Sequence, residues 1–200
     1  MFLGIDCSGV IAELALIAPD GKEIILREDT PRQADVIFPM LEKILAGANI
    51  TTADLTAIGA ITGPGSFTGI RVGLALAQGL ADGLGIPAYG LDAFTATRGE
   101  RREARDEIIV LESKRAELYV CHNHEASMLT LDEIHQLAGT DKRVFHNLAE
   151  DVLISPLASR ISSLASAAAH HAQKLLIQNT PGEILAPYYV READAKPNAA

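Results

Sequence analysis

Leu55-Thr56-Ala57-Ile58-Gly59-Ala60-Ile61-Thr62, running straight into Gly63-Pro64-Gly65-Ser66-Phe67-Thr68-Gly69, is the stretch on which the reading of this chain turns. The first part is an apolar run of strand length. The second is a glycine-rich turn, where glycine permits positive φ and Ser66 or Thr68 caps the next helix. That helix is predicted over about 70–84 and is ended by Gly85-Ile86-Pro87. Free N–H groups at its start could hold a phosphate, with Asp6, Ser8, Gly65 and Ser66 as the contacts. The plainer alternative is a tight strand-to-helix turn, with Asp6 binding the amides of its own turn. The motif alone favours the turn: it has neither the Lys-Ser/Thr pair of a Walker loop nor the glycine spacing of a dinucleotide fold.

Upstream, residues 2–5, 11–17 and 23–27 read as strands joined by Asp6-Cys7-Ser8-Gly9 and Pro19-Asp20-Gly21-Lys22, an antiparallel meander. A helix follows from Gln33 to Ala48, with Thr30 as its cap, Pro31 at its first position and Gln33 closing a capping box. Ala34, Ile37, Phe38, Leu41, Ile44, Leu45 and Ala48 form its core stripe, and Val36 and Met40 a second apolar patch beside it. Pro39 removes one of its hydrogen bonds. In the helix after the glycine loop, Gly69, Gly73, Ala77 and Ala81 recur every four residues. Each interior glycine costs ~1 kcal/mol against alanine, so the track implies close approach by another helix. That neighbour is either internal or a second chain, and spacing does not separate the two. The interface reading uses Val36, Met40, Gly69, Gly73 and Ala77.

Downstream, 88–91 is a short strand and Asp92 caps a helix that becomes highly charged over 98–107. Arg102 and Asp106 are spaced to pair on it. A second lobe is placed over residues 98–200, after a first lobe of 1–97. It holds strands at 108–111, 118–122 and 143–146, a helical turn at 131–137 and an alanine-rich helix capped by Ser155 and reaching about Gln178. A short extended piece follows at 188–190, then a mobile tail. His122 and His124 are read on one face of a strand. No internal repeat is visible by eye.

Composition sets the outer limits. The chain has 200 residues, 48% of them hydrophobic, and no tryptophan, so small aliphatic side chains must build most of the core. A net charge of −9 opposes approach to a polyanion and disfavours direct RNA binding. The two cysteines, Cys7 and Cys121, lack metal or redox spacing and suit a reducing, cytoplasmic setting. No signal-peptide pattern or membrane-length apolar run is seen. The histidines lack ligand spacing and Ser66 lacks a nucleophile elbow, so no metal ligands and no catalytic residues are assigned.

The run Gly63-Pro64-Gly65-Ser66-Phe67-Thr68-Gly69-Ile70-Arg71-Val72-Gly73 resembles the hallmark of the TsaB family, also labelled YeaZ or glycoprotease-like. Ile5-Asp6-Cys7-Ser8, the helix around Pro39, Lys114-Arg115-Ala116-Glu117-Leu118-Tyr119-Val120 and Pro187-Tyr188-Tyr189-Val190-Arg191 resemble further family features, in order. Three positions depart from the pattern: Ala34 near the usual His-Ser pair, Thr62 for Arg, and Glu112 for Asp. The resemblance implies an α/β, two-lobed fold like actin, Hsp70 and sugar kinases, with mixed sheets flanked by helices. It implies a non-catalytic subunit for forming threonylcarbamoyl-adenosine at position 37 of tRNAs that read codons starting with A. The implied partners are a TsaD-type paralogue, met through the first two helices, and a TsaE-type ATPase. The isolated chain is expected to be a homodimer, to meet tRNA only through the complex and to hold no cofactor of its own, with ATP or ADP at or near the partner interface. The competing function is a stand-alone ATPase or peptidase, which turnover by the purified chain would reveal.

Overall fold

The structure is a computed structural model that describes residues 1–30, 32–99, 107–113, 116–140, 142–148, 158–160 and 163–190. The opening meander forms as its turns predict: β1 (Phe2–Asp6), β2 (Ile11–Ile17) and β3 (Glu23–Asp29) pair antiparallel. Helix α1 (Gln33–Gly47) leads to β4 (Ala57–Gly63), which lies parallel to β1. Helix α2 (Phe67–Leu84) then returns the chain to β5 (Ala88–Asp92), parallel to β4. The first sheet therefore has the order β3-β2-β1-β4-β5.

After α3 (Ala93–Arg98), the second sheet repeats that plan. Strands β6 (Ile108–Leu111), β7 (Leu118–His122) and β8 (Glu125–Leu129) form an antiparallel meander. Helix α4 (Leu131–Ala138) leads to β9 (Val144–His146), parallel to β6, and β10 (Ala158–Arg160) lies parallel to β9. The order β8-β7-β6-β9-β10 matches the first sheet strand for strand. The repeat resides in topology and not in sequence, which is why reading residues did not reveal it.

The last helix, α5 (Leu164–Ile177), comes from the far half of the chain and packs on β1, β2, β4 and β5 of the first sheet. Alternation along β1 divides its side chains: Leu3 and Ile5 join the core under α1 and α2, and Phe2 joins the one under α5. Gly4 and Gly59 are cross-strand partners on the α5 side. A Cβ on Gly4 would sit 1.8 Å from the Ala165 carbonyl oxygen, and one on Gly59 1.9 Å from that of Ala168. The helix answers with alanines: Ala165, Ala168, Ala169 and Ala172 are all fully buried. Its N-terminus is held by Glu13 of β2, whose carboxylate accepts from the Ala165 N–H at 3.1 Å and from the Ser163 hydroxyl, and pairs with Arg27. An anionic group there complements the helix dipole.

Several expectations are corrected. Helix α1 has no capping box: its cap residue is Arg32, Thr30 Oγ1 accepts from the Arg32 N–H, and the Gln33 amide donates to the Gly9 carbonyl at 3.0 Å. Ile37, Leu41, Ile44 and Leu45 of the expected stripe are buried, but beside them it is Met40 that is covered, at 4% exposed, and Phe38 that is not, at 61%. Val36 and Met40 pack into the core shared by α1, α2 and the sheet, and both flanks are apolar, so periodicity could not choose between them. Helix α5 is capped by Ser163, which accepts from the Ser166 N–H at 2.9 Å; Ser155 lies outside the described residues. Strand β8 was not foreseen. Asn123 and His124, both at positive φ, form the two-residue turn into it, so His124 is not on a strand. Thr130 and Glu133 make the capping box of α4. Pro31, the Arg102–Asp106 pair, the Lys114-Arg115 turn and the tail from 191 lie outside the described residues. Among those residues no helix is long and apolar enough to cross a membrane.

The glycine seat under α5 gives a stability test. Gly59→Val should abolish the cooperative thermal transition, because backbone, not a flexible side chain, fills the space. Gly79→Ala, where an added Cβ meets nothing within 4 Å, should stabilise by about 0.5–1 kcal/mol. A Gly59→Val protein melting at the wild-type temperature would refute the seat.

Candidate functional site

The glycine loop and the β1–β2 turn close on each other. The Ser66 N–H donates to the Ser8 carbonyl at 2.6 Å. A Cβ on Gly65 would lie 2.3 Å from that same oxygen, and one on Gly69 2.0 Å from the Cys7 carbonyl oxygen. Side chains are excluded at both positions because two backbones touch there. Ser66 caps α2 by accepting from the Gly69 N–H at 3.3 Å. From the second sheet, the Tyr119 hydroxyl donates to the Gly65 carbonyl at 3.1 Å. Tyr119 thus links the two sheets at this loop.

Asp6, Ser8, Gly65 and Ser66 are brought together as the phosphate reading requires. They are, however, occupied with one another. Asp6 Oδ1 accepts from the Ser8 N–H at 2.8 Å and from the Ser8 hydroxyl at 2.6 Å. Two of the amides a phosphate would use, those of Ser66 and Gly69, already have acceptors. The residues fit a junction between chain segments better than a phosphate cradle. Burial raises the Asp6 pKa to about 6, against the lowering effect of the Ser8 bonds, with Glu13 adding a smaller increase. Burial likewise pushes the neighbouring Cys7 thiol up, which keeps it protonated and unreactive.

The five residues expected to face a partner do not form one surface. Met40, Gly69, Gly73 and Ala77 are buried within the chain, and Val36 is half-buried against the same core. Gly73 faces Ile5 of β1 and Cys7 just beyond it, each about 3.5 Å from a built Cβ. The small-residue track therefore serves an internal neighbour, the sheet. The outward face of the helix pair consists of other residues. On α1 it carries Ala34, Phe38 and Pro39; on α2 it carries Arg71, Ala75 and Gly79. Arg71 stacks on the Phe67 ring, 3.6 Å from its centroid, and Phe67 stacks on Tyr189 at 5.2 Å.

The short extended piece expected at 188–190 is part of a longer one, residues 181–190. They form a strap along β5 and β4: Glu183 N–H donates to Ala88 O at 3.0 Å and Tyr188 N–H to Thr62 O at 2.8 Å. Leu185 N–H reaches Gln78 Oε1 at 3.3 Å. The strap walls a cleft of about 510 Å³ shared with Asp92, Arg98, Cys121 and His124. Of the three departures, Ala34 is exposed, Thr62 holds the strap through its carbonyl, and the Glu112 N–H donates to Asn147 Oδ1 at 2.7 Å. Among the described residues no group of three His, Cys, Asp or Glu side chains is placed to hold a metal ion.

The Asp6 environment has a pH signature. Its folded pKa exceeds the unfolded value of 3.8, so the native state holds the proton more tightly. That contribution is present below pH 4 and is lost as pH rises through 6. Asp6→Asn keeps the acceptor without the titration. In urea melts the variant's stability relative to wild type should rise by about 2 kcal/mol between pH 4 and pH 7. A difference that does not change with pH would contradict the buried-carboxylate account.

The family model described as TsaD, tRNA N6-adenosine threonylcarbamoyltransferase, matches residues 30–172. The tRNA threonylcarbamoyladenosine biosynthesis protein TsaB of Escherichia coli is 35% identical over 100 residues, which cover 48% of this chain and 42% of that one. The TsaB of Haemophilus influenzae is 32% identical over 124 residues, covering 58% and 51% respectively. The chain thus spans only about half the length of these relatives. A solved structure of YeaZ from Pseudomonas aeruginosa superposes with a TM-score of 0.67 at 21% identity, over 94% of this chain and 99% of that one. That likeness establishes a shared fold: two mixed sheets flanked by helices. Taken with the glycine loop and its junction, these matches show that the chain belongs to the TsaD family of this model and, within it, to the TsaB/YeaZ group.

Proposed function

We propose that this chain is a non-catalytic subunit of the apparatus that forms threonylcarbamoyl-adenosine at position 37 of tRNA. In this reading it docks and activates a TsaD-type paralogue through the outer face of α1 and α2. The observation that supports it is Phe38, which stands 61% exposed in the middle of α1. The neighbouring α2 turns Ala75 and Gly79 outward, and small residues let a second helix approach closely. Covering a phenylalanine side chain contributes about 1.5–3 kcal/mol, enough for one ring to anchor an interface.

The same face would serve a homodimer in the isolated chain, and a TsaE-type ATPase would join the assembled complex. The net charge of −9 fits tRNA being met through the complex. The matching strand orders of the two sheets support the actin-like, two-lobed reading with a boundary near residue 97, except that α5 and the strap of 181–190, expected in the second lobe of 98–200, return to the first sheet. The internal hydrogen bonding of the glycine loop favours a scaffold over a stand-alone ATPase or peptidase. Nucleotide at or near the partner interface belongs to the assembled complex in this reading.

Phe38→Asp is the direct test. The variant should keep its circular-dichroism melt, because position 38 faces solvent, yet fail to co-elute with a TsaD-type paralogue on gel filtration. Complex formation at unchanged affinity would sink the proposed face. ATP or peptide turnover by the purified chain alone would sink the scaffold role.

A further inference from the structure

Strand β3 lies at one edge of the first sheet, and among the described residues no strand takes its outer side. The opposite edge is covered, because the strap of 181–190 bonds to β5. Strand β3 runs beside β2 with no bulge and no proline, and every residue of it except Leu26 is exposed. Ile24 is 41% exposed and Ile25 37%. A long, flat edge with apolar side chains invites pairing with another chain, and charges along it normally discourage that. Here the arrangement of the charges decides the outcome.

The hydrogen-bond phase of the β2–β3 hairpin fixes which backbone groups face outward. The Ala18 N–H donates to the Lys22 carbonyl at 2.8 Å, and the Thr30 N–H to the Val10 carbonyl at 3.4 Å. Both bonds continue the register that sets Ile17 opposite Glu23 and Ile11 opposite Asp29. Bonded pairs alternate with unbonded ones along an antiparallel ladder. Ile24, Leu26 and Glu28 therefore turn N–H and C=O toward β2. Glu23, Ile25 and Arg27 turn theirs toward the outer edge.

Those outward groups accommodate a two-fold axis at Ile25. A second β3 laid antiparallel about that axis sets Ile25 against Ile25, and Glu23 against Arg27 twice over. Ile24 meets Leu26 on the other face, where Leu26 packs into the core. Neighbouring registers lose this match. An axis at Leu26 sets Glu23 against Asp29, one at Arg27 sets Arg27 against itself, and one at Ile24 opposes no charges at all. Unlike charges directly opposite stabilise a strand pair and like charges destabilise it. Arg27 donates from Nε to Glu13, and a guanidinium carries five donors in a fork, so it is able to serve a second carboxylate.

We propose that β3 is a docking edge for a second copy of this chain, paired antiparallel about Ile25 with Glu23 opposite Arg27 of the partner subunit. The contact is isologous, as a two-fold dimer requires. It uses residues distinct from the outer face of α1 and α2, so it stands or falls apart from the docking reading.

The test first removes the other self-contact. The full chain carrying Phe38→Asp should still weigh twice the 21.3 kDa of one chain in sedimentation equilibrium. Adding Ile25→Pro should make it a monomer with little change in its melt, because the N–H that is lost points outward and edge strands tolerate proline there. Adding Glu23→Arg instead should weaken the dimer at least about tenfold, since it opposes arginines at two places. Glu125→Arg, the same change of charge on the outer strand β8 of the second sheet, should leave the dimer as it was. Should the proline lower the melt, Glu23→Arg decides alone, because position 23 is exposed. A monomeric Phe38→Asp chain would overturn the edge while leaving the docking reading intact. So would a dimer indifferent to Glu23→Arg, a folded Ile25→Pro chain that still dimerises, or equal weakening by Glu125→Arg.

Discussion

Helix α5 lies on the first sheet at a distance that only glycine permits, and the architecture is organised around that contact. Gly4 and Gly59 stand side by side on adjacent strands, and the carbonyls of Ala165 and Ala168 occupy the space their side chains would need. Such proximity maximises dispersion contact per residue, which suits a chain without tryptophan. It also fixes the helix along its axis, because each glycine meets a particular carbonyl. Glu13 then secures the helix start with one carboxylate shared among a backbone amide, a hydroxyl and Arg27. Both features join the two ends of the chain, so the first sheet is complete only when the far half is in place.

The local grammar of this sequence was readable where one residue type had one physical use. The meander turns, the Asp92 cap and the Ser66 cap follow from turn and capping chemistry, and the structure has each of them. Reading failed where two residues were chemically equivalent. Phe38 and Met40 are both apolar residues of one helix, and only the way α1 seats on the rest of the fold decides which is covered. In the Gly69–Gly73–Ala77 track only Gly69 meets a backbone too close for a side chain, the Cys7 carbonyl just past β1, while Gly73 has ordinary contacts with Ile5 and Cys7. The junction between the glycine loop and the Asp6 turn was legible as four candidate residues. Their mutual hydrogen bonding was not, because it depends on two segments nearly 60 residues apart meeting backbone to backbone.

The topological repeat gives the two sheets different work. Both have the same strand order, but the first is covered on both faces by long helices. The second has short strands β9 and β10 and the eight-residue helix α4. Tyr119 and α3 join it to the first sheet. An α/β plan used twice thus yields one half that displays a helix pair and another that braces the glycine loop from behind.

The strap formed by residues 181–190 bears on how the chain comes off the ribosome. Strands β1, β2, β4 and β5 are made early, but one apolar face of their sheet stays open until α5 is made and the strap can close against β5. Between the synthesis of β5 and that of α5, Phe2, Ile17, Ala57 and Tyr89 therefore lack their native cover. Over that interval the nascent chain carries an adhesive sheet face, the kind of surface that holding chaperones bind. A ribosome stalled before residue 164 would hold a product unable to finish folding, however well its first lobe is formed.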